Sequence, residues 1–299
     1  MIFIDRASVE TPEILKDGSE KLKKELEEAI KHYTNPDPEK RKKAFKFKVY
    51  GNAKVKEALI KMGKGKCAYC ESDILATYVG DIEHFRPKGE IEELKATGNS
   101  KPGYYWLAAD WENLLFSCRN CNQKSKQATA FVEEAKSMGK MNQFPLFDET
   151  KRVRSPEGDF KGEEKVRLLL NPCIENPEDY FKYDIESGVM KPKKRKKFLK
   201  QRALSSIKVF ALQRVPLVME REKRAILISA QMQRVEEAFV NYNDFINDPQ
   251  RSERFAKVLQ REMETLQGFL DPTQEYLGIA RQMIGHFMMK NFQVDINAA

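Results

Sequence analysis

The sequence predicts a mainly α fold with a small α+β insert. Three observations carry this. Apolar residues recur at helical spacing through residues 1–60 and again after Lys193. That periodicity breaks down between Cys67 and Asp148. The interrupted stretch contains two Cys-x-x-Cys pairs, Cys67–Cys70 and Cys118–Cys121. Residues 1–60 are therefore expected to be an N-terminal helical segment and 61–150 a compact insert, followed at 151–299 by a basic, mostly helical C-terminal domain.

Leu22, Leu26, Ala29, Ile30 and Tyr33 fall on one helical face that ends near Asn35-Pro36. A second helical pattern starts after Pro38 with Ala44, Phe45 and Val49. A third carries Val55, Leu59 and Ile60 up to Gly63 and Gly65. From Cys67 to Asp148 the apolar stretches are short, and turn residues such as Gly80, Pro87, Gly89 and Gly103 intervene. Trp106 and Trp111 are expected to pack that small core. Lys151 to Met190 reads as loop-rich, punctuated by Pro156, Gly158, Pro172, Pro177 and Gly188. Beyond Lys193, Leu199, Ala203, Ile207 and Phe210 share a face, and Pro216 kinks or restarts that helix. Phe255, Val258, Leu259, Met263 and Leu266 mark a later helix. Tyr276, Ile279, Ala280, Met283 and Phe287 mark another, with Asp271-Pro272 as the break between the two.

Charge is unevenly spread. The chain has a net charge of +8, and residues 190–224 hold thirteen Lys or Arg against Glu220 and Glu222, a local excess of +11. Such clustering is the electrostatic footprint of a phosphate backbone, with Lys193, Lys194, Arg195, Lys196 and Lys197 at its centre. No apolar run approaches the ~18 residues of a membrane span, and five cysteines with four in close pairs suit a reducing compartment. The expectation is a cytoplasmic protein without a membrane partner.

Two pairs of thiolates supply the tetrahedral ligand set zinc prefers, and a closed four-sulfur site is structural. Zinc on Cys67, Cys70, Cys118 and Cys121 would pin together the ends of a segment containing Asp81-Ile82-Glu83-His84. Hydrolysing a phosphodiester takes a nucleophilic water, neutralisation of phosphoryl oxygens and help for the leaving oxygen. A divalent ion supplies the last two. His84, the one histidine of the insert, is the expected general base, because imidazole near its ordinary pKa of ~6.5 accepts a proton at neutral pH. It is expected to stand in an exposed cleft with little packing. Glu83 is the expected oxygen ligand for Mg²⁺ or Mn²⁺, and Asp81, two residues back on the same strand face, competes for that role.

Taken together, Cys67-Ala68-Tyr69-Cys70-Glu71, Asp81-Ile82-Glu83-His84-Phe85-Arg86-Pro87-Lys88, Trp111-Glu112-Asn113-Leu114 and Cys118-Arg119-Asn120-Cys121-Asn122 resemble an HNH nuclease. The resemblance implies a ββα-metal module at 61–150, buttressed by the cysteine zinc site and flanked by N- and C-terminal helices. It puts His84 at the general base, Glu83 at the acidic metal ligand and Asn113 at a position bracing the loop. Asn122 falls at the final position, a metal ligand in many relatives. Arg86, Lys88 and Arg119 become candidates for phosphate contact, together with Lys124 or Lys126.

Further segments are similar to the PtuB family, the HNH subunits of Septu anti-phage systems: Phe144-Pro145-Leu146, Leu169-Leu170-Asn171-Pro172-Cys173, Pro177-Glu178-Asp179-Tyr180-Phe181 and Arg202-Ala203. That similarity runs from about residue 10 to 290. It implies an endonuclease acting on DNA, or on RNA such as tRNA, beside a PtuA-like ATPase subunit of the ABC or SMC kind. A retron reverse transcriptase with its noncoding RNA is a further partner in related systems. Ile226, Ile228, Met232, Phe239, Tyr276, Met283, Met288 and Met289 are expected to offer the partner a Met-rich face. The competing expectation is a zinc-containing nucleic-acid-binding or assembly subunit without its own catalysis.

Overall fold

The computed structural model describes residues 1–193 and 196–296. Helices dominate it, and the strands form three separate two-stranded antiparallel sheets among the described residues. α1 (Glu20–Tyr33) begins where the Ser19 hydroxyl accepts from the Leu22 amide. α2 is only Pro38–Lys42. The helical pattern expected to continue through Ala44, Phe45 and Val49 is not a helix. The Glu25 carboxylate instead accepts the amides of Lys48 and Val49 and holds this segment extended. Phe45 and Phe47, two residues apart, then stack edge-on with ring centroids 4.8 Å apart, and Phe45 reaches back to Tyr33 of α1. α3 (Ala53–Met62) is capped by Asn52 and stops at Gly63.

The insert pairs β1 (Asp81–His84) with β2 (Leu114–Ser117), Asp81 opposite Ser117 and His84 opposite Leu114. β2 is buried along its whole length and runs into α4 (Arg119–Asn122), a single turn. A hairpin then leaves and returns, β3 (Ser125–Thr129) against β4 (Val132–Met138). The sequence reading did not anticipate it. The return is fixed at Gly139, whose φ is +125° and where a Cβ would lie 2.0 Å from the Gln123 carbonyl oxygen.

α5 (Phe160–Val166) and the short ribbon β5 (Phe181–Tyr183) and β6 (Met190–Pro192) order the stretch read as loop-rich. α6 (Lys197–Val209) ends before Phe210, and α7 (Val215–Asp244) restarts with Pro216 in its first turn. α8 (Pro249–Gly268) folds back along α7, and α9 (Leu277–Phe292) closes the bundle on α7 and β5. One continuous core cluster runs from Leu15 through Phe116 and Phe210 to Met288. Ile228, Tyr276, Met283 and Met288, expected on a partner-facing surface, are buried in it, and Phe239 packs on Phe292. Of that set, Ile226 and Met289 do face outward.

No helix among the described residues is long and apolar enough to cross a membrane.

Candidate functional site

The knuckles meet as their spacing requires. The sulfurs of Cys67, Cys70, Cys118 and Cys121 all lie within 4.8 Å of one another, and all four residues are buried. Thiolates at about 2.3 Å from a tetrahedral ion have sulfur–sulfur edges of roughly 3.8 Å. Cys70 Sγ and Cys118 Sγ are 3.8 Å apart, so the donor set fits zinc. One residue the sequence reading missed is Arg214. It is buried in the α6–α7 connection and reaches Cys121 Sγ at 3.5 Å and Cys118 Sγ at 3.9 Å. Four thiolates on one Zn²⁺ leave a net charge of −2, and a buried guanidinium there offsets half of it. Nothing near Arg214 in sequence signals this role, because its partners lie some ninety residues away.

Beside the knuckles, the end of β1, α4 and the chain after Gly139 enclose a cleft of about 440 Å³ lined by Glu83, His84, Lys88, Asn122, Lys124 and Met141 among others. His84 differs from expectation. It is 6% exposed and packs edge-on against Tyr50 with ring centroids 4.5 Å apart. Its Nε2 lies 2.8 Å from the Ala108 carbonyl oxygen, which can only accept, so Nε2 carries the proton. Nδ1 is then the basic nitrogen, 3.3 Å from Lys88 Nζ. Burial first, and the Lys88 charge second, hold the imidazole pKa well below its usual value, so the ring is neutral at pH 7.

Glu83 is also buried, and Lys140 is its counter-ion at 2.7 Å. Lys140 is fully buried and donates to the His84 carbonyl oxygen at 2.8 Å. The turn at Gly139 delivers it, since the Lys140 amide donates to the Cys121 carbonyl oxygen at 2.8 Å. It is Glu83 Oε1 that Lys140 meets. Burial raises the Glu83 carboxyl pKa, and Lys140 only partly opposes that. A carboxylate is a hard oxygen donor of the kind Mg²⁺ and Mn²⁺ prefer, but Lys140 holds Oε1, so a divalent ion in the cleft would have to share Glu83 with that lysine or use its other oxygen.

Asp81 takes another path. It accepts from Tyr78 Oη, from Asn122 Nδ2 at 3.0 Å and from Gln123 Nε2 at 3.2 Å, and it does not line the cleft. With its amide nitrogen given to Asp81, Asn122 is left with its oxygen for the cleft. Asn113 is buried outside the cleft. Its Oδ1 accepts the Arg86 amide at 2.7 Å, and its Nδ2 donates to the carbonyl oxygens of Arg86 and Leu107, both at 3.0 Å. It thereby ties the turn after β1 to the segment that presents Ala108.

Arg86 is a correction. Expected to contact nucleic acid, it is buried, donates to Glu163 at 2.8 Å and to Glu164, and lies over the Phe144 ring. Two carboxylates have already taken its guanidinium. Lys88 lines the cleft and sits 4.6 Å above the Tyr50 ring centroid. Lys124 is at the cleft rim and pairs with Glu92, and Arg119 and Lys126 are exposed. Lys193, Lys196 and Lys197 lie far along the chain around the start of α6, and Lys194 and Arg195 fall outside the described residues.

No family model matches the chain. The Septu protein PtuB of Bacillus mycoides (strain KBAB4) is 40% identical over 202 residues, 68% of this chain and 59% of that protein. A Septu protein PtuB of Bacillus thuringiensis is 37% identical over 78 residues, a quarter of each chain. The Septu protein PtuA of Bacillus mycoides (strain KBAB4) is 29% identical over 134 residues, 44% of this chain and 16% of that protein. The chain thus spans less than two thirds of the length of each of these relatives.

Proposed function

We propose that this chain is a metal-dependent endonuclease of the HNH type, the nuclease subunit of a Septu-like anti-phage system that works with a PtuA-like ATPase. One observation carries the reading. In a single cleft, the imidazole of His84 turns an unprotonated Nδ1 toward the same space as Glu83, the Asn122 amide and the ammonium groups of Lys88 and Lys124. The similarity to Septu proteins supports the defence role.

In this reading Ala108 and Tyr50 orient the ring, and Nδ1 takes the proton of the attacking water. Lys88 would move its ammonium from Nδ1 to a phosphate oxygen, freeing the base, and Lys124 would exchange Glu92 for another. Asp81 aims the Asn122 oxygen, and Lys140 keeps Glu83 ionised despite its burial. A Mg²⁺ or Mn²⁺ on Glu83 and Asn122, when bound, would supply charge neutralisation at the phosphoryl group and the leaving oxygen. Zinc on the four cysteines would hold the cleft together without entering the chemistry.

His84→Ala tests the proposal. With Mg²⁺ or Mn²⁺ and duplex DNA, single strands and tRNA as substrates, cleavage is expected to fall by ~10²–10⁴, the share of a positioned base. Zinc content should be retained. Unchanged cleavage would remove the base and the reading with it. The second reading, a zinc-bearing binding or assembly subunit, is favoured by one feature. Lys140 already neutralises Glu83, so the cleft has an internal cation where a nuclease needs an exchangeable one. Absence of cleavage by the parent chain with any of these substrates, with and without the ATPase, would favour that second reading.

A further inference from the structure

A second concave surface lies at the far end of the β3–β4 hairpin. It has a volume of about 790 Å³ and is lined by Lys182, Lys191, Lys193, Lys196 and Lys200 with Phe131 at its edge. Lys191 is paired with Asp184 at 2.6 Å. Lys182, Lys196 and Lys200 make no ion pair among the described residues, and Lys193 is only partly offset by Glu178 nearby, so the groove keeps a net positive lining. The start of α6 adds to it. Lys196 is its N-cap and gives no side-chain cap to the first-turn amides, and no acid sits in that turn. The positive end of this 13-residue helix therefore reinforces the lysines. No acid lines the groove among the described residues; Asp184 and Glu178 act on it through Lys191 and Lys193.

Phe131 gives the groove a second character. It stands in the hairpin turn at 65% exposure, a large apolar ring left in water. The backbone that carries the ring is anchored, because the Ala130 amide donates to the Gln213 carbonyl oxygen at 3.0 Å and Thr129 bridges to Arg214. Lysines that track phosphates beside an exposed aromatic are the two elements of single-strand recognition. A base within a duplex is already stacked on both faces and offers Phe131 nothing.

We infer that this groove binds single-stranded nucleic acid, with Lys182, Lys193, Lys196 and Lys200 on the phosphates and Phe131 stacked on a base. The inference deepens the nuclease reading by naming the polymer form that the chain grips. The hairpin joins groove and cleft. Gln123 and Lys124, at its base, border the cleft, and Phe131, roughly 20 Å along β3, borders the groove. One strand lying along the hairpin passes from the groove to His84.

The test uses the full zinc-loaded chain carrying His84→Ala, without added Mg²⁺ or Mn²⁺. Fluorescence anisotropy would follow a labelled oligothymidine of about 20 nucleotides and a duplex of equal length. The oligothymidine should bind more tightly than the duplex. Phe131→Ala should weaken it about tenfold or more and leave the duplex unaffected. Replacing Lys182, Lys193, Lys196 and Lys200 with Ser should reduce the salt slope by roughly 0.7 per lysine between about 50 and 200 mM salt. These positions are on the surface, so the variants should melt as the parent does. Equal affinity for both polymers with Phe131→Ala silent, or an unchanged salt slope in the lysine variant, would overturn the groove. The nuclease reading is judged apart from this, by cleavage with His84 restored. Groove-dependent binding without any cleavage would sink the nuclease and keep the groove, and cleavage that ignores every groove variant would do the reverse.

Discussion

His84 shows how little of a residue's state is set by its identity. The Asp81-Ile82-Glu83-His84 segment marks it as a base, yet its tautomer comes from the Ala108 carbonyl and its pKa from burial and Lys88. The consequence is a pH dependence with a definite sign. The unfolded chain protonates this imidazole near ~6.5, and the folded chain does so only at lower pH. Below ~6.5 the unfolded state therefore binds a proton that the folded state refuses. The stability His84 contributes is complete above ~6.5 and is lost as pH falls toward the depressed folded pKa, with a slope of at most about 1.4 kcal/mol per pH unit. Urea midpoints of the parent and His84→Gln, compared between pH 5 and 8, should diverge on the acid side, with the variant less sensitive. Parallel curves would show that the ring titrates normally. Comparing the two cancels the pH dependence of the cysteine site, which both share. Lys140 is the opposite case: its role depends on a turn at Gly139 far along the chain from Glu83, and no local pattern announced it.

At the scale of elements, the zinc knuckles and the α6–α7 connection form one unit. Arg214 forks between Cys118 and Cys121, and Tyr69 of the first knuckle stacks on Phe210 with ring centroids 3.8 Å apart. Removing a partner of this kind typically costs 10–100-fold in metal affinity. Arg214→Ala should show that loss in competition with a chromophoric zinc chelator. Arg214→Lys should recover only part of it, because one ammonium cannot reach both sulfurs as a planar fork does. Equal zinc affinity in all three proteins would mean that Arg214 serves packing alone. Helices α1, α3, α8 and α9 were legible because each carries apolar residues at helical spacing, half-buried along α1 and α8 and buried in α3 and α9. The β3–β4 hairpin was not, because Val132-Glu133-Glu134-Ala135-Lys136 is polar, exposed on both faces and lacks the alternation that marks a strand.

For the molecule as a whole, the insert is wired into its flanks. The Gly278 amide of α9 donates to Glu71 at 2.9 Å, directly after the first knuckle. Lys66 Nζ reaches the Gln274 carbonyl oxygen at 2.7 Å, and Arg86 docks on Glu163 of α5. With the core continuous across these contacts, loss of zinc should not melt the insert alone. Structural zinc can contribute on the order of 10 kcal/mol, comparable with the 5–15 kcal/mol total stability of a typical domain. Stripping it with a chelator should lower a single transition seen alike by helical circular dichroism and by tryptophan fluorescence, since Trp106 and Trp111 lie in the insert. Helices that melt at an unchanged temperature after the tryptophan signal is lost would show the insert to be energetically separate.

The chain's own order of residues was enough to determine the α-dominated class, several helix ends, the four-cysteine cluster and the candidate base. Each rests on spacing within a few residues or on a ligand type with few alternatives. Only the tertiary structure decided that Arg86 is sealed in an ion pair while Lys88 faces the cleft, that Asp81 serves Asn122, and that Lys140 and Arg214 provide the buried counter-charges. The reason is physical. Burying a carboxylate or a cluster of thiolates demands a compensating charge, but any distant lysine or arginine of the chain can satisfy that demand, and only the packed fold selects which one does.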